Sequence, residues 1–215
     1  MSQVGDLGFI HRFDKGEGAE VTLLVLHGTG GNEDDLMPLA RSIAPNAHLL
    51  SPRGKILENG APRFFRRLAP GVFDIDDLTV RTHELADFVQ NAGSAYEIDA
   101  TRVFALGYSN GANIAAALLL LRPELLGGAM LLKAMPPLTP EHEPDLSDVL
   151  VFIAGGRTDQ MIAPAATDEL VNLLIRCGAG VTIHWEPGGH EITPNDVAAV
   201  SAWFASNRRV VRARG

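Results

Sequence analysis

Gly107-Tyr108-Ser109-Asn110-Gly111 narrows the folds open to this chain more than any other segment. It is preceded by RVFALGY, rich in residues that suit a strand, and followed by NGANIAAALLLL, which is almost wholly apolar. Glycines on either side of a serine, between a strand and a helix, indicate a sharp turn in which a Cβ would collide with neighbouring backbone. A helix apolar on all sides belongs in the centre of a fold. The rest of the chain repeats the alternation. Candidate strands are Leu7 to Phe13, Val21 to His27, His48 to Ser51, Arg102 to Tyr108, Gly128 to Leu132, Val149 to Ala154 and Val181 to Glu186. Helical periodicity falls between them, at Asp35 to Ala44, Thr79 to Ala92, Asn110 to Leu121, Ala166 to Cys177 and around Val197, Val200, Trp203 and Phe204. Such a pattern predicts an α/β fold, a mostly parallel sheet with helices on both faces.

With 215 residues the chain can bury one substantial core, so a single domain spanning 1–215 is expected. Arg208, Arg209, Arg212 and Arg214 form a basic tail over about 208–215, read as solvated. A net charge of -8 argues against nucleic acid as a partner. The longest wholly apolar run, Ile114 to Leu121, is far short of the roughly 18 residues that span a membrane, so no membrane partner is expected. The start shows no secretory pattern, and the single cysteine, Cys177, excludes an internal disulfide. A cytoplasmic location is the expectation.

A serine at such a turn is a candidate nucleophile, but its hydroxyl needs a base to take the proton and an acid to orient that base. Asp159 in GGRTDQM follows the strand VLVFIA, and His190 in EPGGHE follows VTIHW. Both fall after strands near one edge of the sheet, in the order nucleophile, acid, histidine. Asp145 and Asp148 precede their strand and would lie at the wrong edge, and Asp168 should face solvent on a helix. His27 in LHGTGGNEDD is read as a brace for its loop. His11, His48, His83, His142 and His184 fit surface or strand packing. No histidine pair has the His-Glu-x-x-His spacing, so neither metal nor other cofactor is expected. The glycine-rich HGTGG turn can aim backbone N–H groups at a developing oxyanion, with Thr29 and Asn110 as the donors. It lacks both glycine spacings of nucleotide-binding loops.

LHGTGGNEDDLMPLA, SPRGKILENGAPRFFRR, GYSNGANIAAALLL, GGRTDQMIAP and HWEPGGHEIT together resemble the phospholipase/carboxylesterase family of α/β hydrolases, in particular its small bacterial hydroquinone-stress-associated, dienelactone-hydrolase-like branch. The resemblance covers nearly the whole chain. It implies an esterase without a cap domain, with Ser109, Asp159 and His190 as triad and Thr29 and Asn110 as oxyanion donors. Homodimers occur among such proteins. Dienelactone hydrolases proper carry cysteine where this chain has Ser109, so their own chemistry is not carried over.

The expected activity is cleavage of a small aryl or short acyl ester through an acyl-enzyme. Acyl transfer, thioesterase activity and a non-catalytic small-molecule binding module are the alternatives. The segment from Pro52 to Asp77, rich in Gly, Pro, Arg and Phe, is read as a long functional loop at the mouth of the site. Arg53 or Arg63 would meet a carboxylate or phenolic oxygen of the substrate. If the segment is extended, Phe64 and Phe65 point to opposite sides, so that one lines the pocket and the other packs on the core. Met135, Met161 and Ile162 would supply apolar wall.

Overall fold

The computed structural model describes residues 7–208; of the basic tail, only Arg208 falls inside this range. The strands β1 (His11–Asp14), β2 (Thr22–Leu26), β3 (His48–Pro52), β8 (Val103–Tyr108), β9 (Gly128–Leu132), β10 (Leu150–Gly156) and β11 (Gly180–Glu186) form a sheet in the order β1-β3-β2-β8-β9-β10-β11. All neighbours run parallel except β1, which pairs antiparallel with β3. This is the expected α/β-hydrolase architecture. The first strand is shorter than its apolar pattern suggested, because Phe9 turns into the core and packs on Phe88.

Alternation along each strand divides the core in two. Leu24 and Leu26 of β2 face one apolar cluster, and Leu23 and Val25 face the other. The first cluster is covered by α2 (Ile75–Tyr96), α3 (Asn110–Leu121) and α4 (Pro164–Arg176), the second by α1 (Met37–Ile43) and α5 (Pro194–Asn207). As its composition requires, α3 is buried along nearly all its length. The second helix begins four residues earlier than its apolar stripe. Asp74 caps it by accepting from the Asp77 N–H, and Asp76 and Asp77 favour the positive end of the helix dipole.

Within the segment from Pro52 to Asp77, read from the sequence as one long loop, residues 54–74 carry regular structure. They form two small hairpins, β4 (Ile56–Glu58) with β5 (Ala61–Arg63), and β6 (Arg67–Ala69) with β7 (Val72–Phe73). Asn59 and Gly60 both have positive φ, 52° and 85°, as a two-residue hairpin turn matched to strand twist requires. Gly71, after Pro70, has φ of 75°, as a Pro-Gly turn requires. Both turn signals stood in the sequence as NG and PG. Among the described residues, no helix is long and apolar enough to cross a membrane.

Candidate active site

Ser109 sits between β8 and α3 with φ 53° and ψ −115°, outside the conformations an ordinary residue prefers. Its backbone N–H is fixed to the Leu132 carbonyl of β9 at 2.9 Å. The flanking glycines are steric necessities. A Cβ on Gly107 would lie 2.6 Å from the Gly111 carbonyl oxygen, and one on Gly111 would lie 2.1 Å from that of Leu26. The helix and β2 therefore approach too closely for any side chain, and the serine is lifted above the sheet.

The turns after β10 and β11 are drawn together in the same way. The Arg157 N–H bonds the Glu186 carbonyl at 2.8 Å and the Thr158 N–H that of Gly188 at 3.1 Å, extending the parallel pairing beyond the strand ends. A Cβ on Gly156 would lie 2.1 Å from the Gly189 carbonyl oxygen. This contact brings Asp159 to His190. His190 Nδ1 lies 2.7 Å from Asp159 Oδ2, and His190 Nε2 lies 2.9 Å from Ser109 Oγ. The other oxygen of Asp159 accepts the backbone N–H groups of Met161 and Ile162, at 2.8 and 3.0 Å, and the side chain is almost wholly buried. Its geometry is thus set by three donors. With the carboxylate ionised, Nδ1 of His190 carries the proton, leaving the Nε2 lone pair facing the serine hydroxyl. Tyr108 donates its hydroxyl to the His190 carbonyl at 3.1 Å, and burial raises the pKa of that phenol, with Asp159 adding to the effect.

His27 is placed as a brace. Nδ1 lies 2.7 Å from the Gly28 carbonyl oxygen, and Nε2 accepts the Gly54 N–H at 3.0 Å, so the ring is neutral with Nδ1 protonated. Burial lowers its pKa, which favours that neutral form. Together with the Gly30 N–H to Pro62 carbonyl bond, 2.9 Å, this ties the Gly28–Gly31 turn to the first hairpin.

Ser109 and His190 open into a cavity of about 370 Å³ that is also lined by Thr29, Asn110, Asn113, Met135, Gln160, Met161 and Ile162. As the first residue of α3, Asn110 has a backbone N–H without an intrahelical acceptor. The hairpins supply Arg63, Arg67, Pro70, Gly71 and Phe73. Arg63 is where it was expected, its guanidinium 2.7 Å from Thr29 Oγ1. Arg53 is not. It does not line the cavity, because both carboxylate oxygens of Glu33 engage its guanidinium. The alternation expected of Phe64 and Phe65 also fails, since both are buried in the core. Asn110 Oδ1 accepts the Phe64 N–H at 2.8 Å, the Phe64 ring packs on His27, and Phe65 packs edge-on against Phe73. The cavity's aromatic wall is Phe73 instead. Arg67 is a second guanidinium missed by sequence reasoning; hairpin alternation would have placed it only once the PG turn was recognised.

Glu58 is shared by the two cavity arginines, at 3.2 Å from Arg63 and 2.9 Å from Arg67. Two guanidiniums against one carboxylate leave a surplus positive charge on this wall. Burial, and secondarily repulsion from Arg67, lower the pKa of Arg63 while Glu58 opposes the shift.

The sequence profile of the Phospholipase/Carboxylesterase family matches residues 13–207, and the chain belongs to that family of α/β hydrolases. The Bacillus subtilis (strain 168) protein named "Putative hydrolase MhqD" is 46% identical over 194 residues, covering 90% of this chain and 96% of that one. Among solved structures, the Bacillus cereus carboxylesterase superposes with a TM-score of 0.91 at 45% identity, covering 94% of this chain and 95% of the other. YahD, solved with malic acid, superposes with a TM-score of 0.88 at 30% identity, covering 92% and 98%. The chain is an esterase-type hydrolase.

Proposed function

We propose that the protein is a serine carboxylesterase working through an acyl-enzyme, with a preference for small esters that carry a carboxylate or another anionic group. The observation that carries the catalytic part is the unbroken line Asp159 Oδ2, His190, Ser109 Oγ, with links of 2.7 and 2.9 Å, opening into the cavity. As the ester binds, Ser109 Oγ attacks its carbonyl carbon while His190 Nε2 takes the hydroxyl proton. The carbonyl oxygen becomes an oxyanion, stabilised by the backbone N–H groups of Thr29 and Asn110. Collapse breaks the bond to the leaving oxygen, which receives the proton from His190. A water then gives a proton to His190 and attacks the acyl carbon, and the serine leaves with that proton as the acid departs. Asp159 holds the imidazole in the required tautomer and stabilises its cationic form.

The substrate preference rests on the cavity. A volume of about 370 Å³ suits a short acyl or single aryl group, with Met135, Ile162 and Phe73 as apolar wall and the exposed Met161 at the rim. The surplus charge of Arg63 and Arg67 suits a carboxylate. The malic acid of the YahD structure, a small dicarboxylic acid, agrees with this chemistry. The test of the catalytic part is labelling with a fluorophosphonate together with turnover of p-nitrophenyl acetate. A single adduct at Ser109 is expected, and both signals should vanish in Ser109→Ala. Labelling that persists in that variant, or absence of turnover by the native chain, would refute the reading; the second result would favour a binding module.

A further inference from the structure

A second group of side chains converges beneath the loop that presents His190. His184 and Glu186, two apart on β11, share a face of the strand, and Asp196 meets them from the first turn of α5. Asp196 is fully buried and its two oxygens differ sharply. Oδ2 accepts from Lys133 Nζ at 2.9 Å, from the Thr193 N–H at 3.0 Å and from the Thr193 hydroxyl at 3.3 Å. Oδ1 is buried and accepts from no described group. Facing it is His184 Nε2, equally enclosed and equally without a hydrogen bond among the described residues, 3.8 Å from Asp196 Oδ1 and 3.5 Å from Glu186 Oε2.

These separations are too long for a protonated imidazole bridging two carboxylates, where N–H to oxygen contacts run about 2.7–2.9 Å. The 3.5 Å separation fits two donors on one ion, and the 3.8 Å separation fits once Asp196 Oδ1 closes by a few tenths of an ångström. Bonds of about 2.0–2.2 Å in tetrahedral geometry place neighbouring donors about 3.3–3.6 Å apart. One ligand atom from each residue lies within 4.8 Å of the others. The charges agree. Lys133, itself wholly buried, balances Asp196 and steers its free oxygen toward the gap, which leaves the Glu186 carboxylate without a lysine or arginine partner among the described residues. The Asn195 amide approaches the other Glu186 oxygen at 3.5 Å.

We propose that His184, Glu186 and Asp196 form a structural site for one divalent ion of the zinc type, with water as the remaining donor. One imidazole with two carboxylates selects such an ion over magnesium or calcium, which take oxygen alone. A scan for short motifs misses it because the ligands come from a strand and a helix on either side of a loop. That loop is the point of the site. Glu186 lies four residues before His190 and Asp196 six after it, so an ion held by both closes a ring at the base of the catalytic histidine's loop. The role is positional, and no reaction step passes through the ion.

The test is titration of the full-length chain, stripped with a chelator, with zinc chloride, followed by calorimetry and by thermal unfolding. One zinc per chain is expected, with the unfolding midpoint raised by roughly 5–10 °C at a hundredfold excess over Kd. Both signals should be lost in His184→Ala and in Glu186→Gln, while the metal-free midpoints of these variants stay near that of the native chain. Asp196 is left intact in the test because it also caps α5. Absence of saturable one-to-one binding would overturn the proposal. So would binding that survives both substitutions, which would place the ion elsewhere, for example on His190 and Asp159. Stability that depends on His184 through pH alone, with no response to zinc, would replace the ion by a proton and equally overturn it.

Discussion

The charge of the cavity wall can be changed in either direction by single substitutions, and each carries a signed consequence. Arg63, Arg67 and Glu58 sum to one surplus positive charge. Arg63→Ala leaves the pair of Arg67 with Glu58, and Arg67→Ala leaves Arg63 with Glu58, so either variant presents a neutral wall. Glu58→Gln leaves two guanidiniums facing the cavity. A hydrogen bond to a charged group contributes about 1.5–3 kcal/mol net, so loss of the surplus charge should lower kcat/KM for an anionic ester by roughly 10- to 150-fold. The surplus guanidinium is partly enclosed, with Arg63 4% and Arg67 28% exposed at the side chain, so salt should screen the effect only in part. Arg63 also holds Thr29 Oγ1 and the Phe65 carbonyl, and its removal should slow every substrate somewhat. The assay is therefore the ratio of kcat/KM for p-nitrophenyl hemisuccinate to that for p-nitrophenyl acetate, in which shared damage cancels. The ratio should fall in both arginine variants and rise in Glu58→Gln. Equal losses on the two substrates in both arginine variants would refute the anion preference while leaving the esterase assignment intact.

Three further outcomes follow from the geometry. Asp159→Asn should keep the backbone contacts through its amide oxygen but present an N–H to His190 Nδ1, which forces the wrong tautomer; kcat measured under saturating ester should fall by roughly ten-thousand-fold with little change in unfolding midpoint. Gly111→Ala should destabilise the chain by more than about 4 kcal/mol in denaturant unfolding, because the new methyl meets the Leu26 carbonyl, whereas Gly60→Ala, which meets nothing, should cost only about 1 kcal/mol for its positive φ. Burial holds the His27 pKa below its ordinary 6.5, so the unfolded chain binds a proton there that the folded chain refuses. The stability from this residue is complete above pH 6.5 and is lost as pH falls below it, and His27→Gln should flatten the acid slope of the urea midpoint. An unchanged slope would show that His27 is not the source.

The line of contacts from Asp159 through His190 to Ser109 was legible because each part is written locally. Strand, turn and helix around Ser109 are contiguous, and Asp159 and His190 directly follow their strands. The cavity wall was harder to read. Its residues lie on two hairpins so short that their apolar pattern is drowned by Arg, Gly and Pro, and only the turns NG and PG mark them. Phe64 and Phe65 could not be sorted by alternation, because they follow β5 and are turned inward by Asn110, distant in sequence, and by Phe73 of the next hairpin. Arg53 and Arg63 look alike in the sequence. What separates them is Glu33, which reaches Arg53 from another loop.

The way residues 54–74 are fastened bears on how this hydrolase can change over evolutionary time. Their attachments lie at the base: Gly54 on His27, Pro62 on Gly30, Phe64 on Asn110 and Arg66 on Asp77. The turns at Asn59-Gly60 and Pro70-Gly71, together with the outward-facing Leu57, Leu68 and Val72, make no such attachment and stand exposed. Drift in those tips can reshape the entrance while the roots keep Ser109, His190 and Asp159 in register. Grafting the tips between relatives should therefore exchange substrate range without rebuilding the catalyst, and grafting the roots should not.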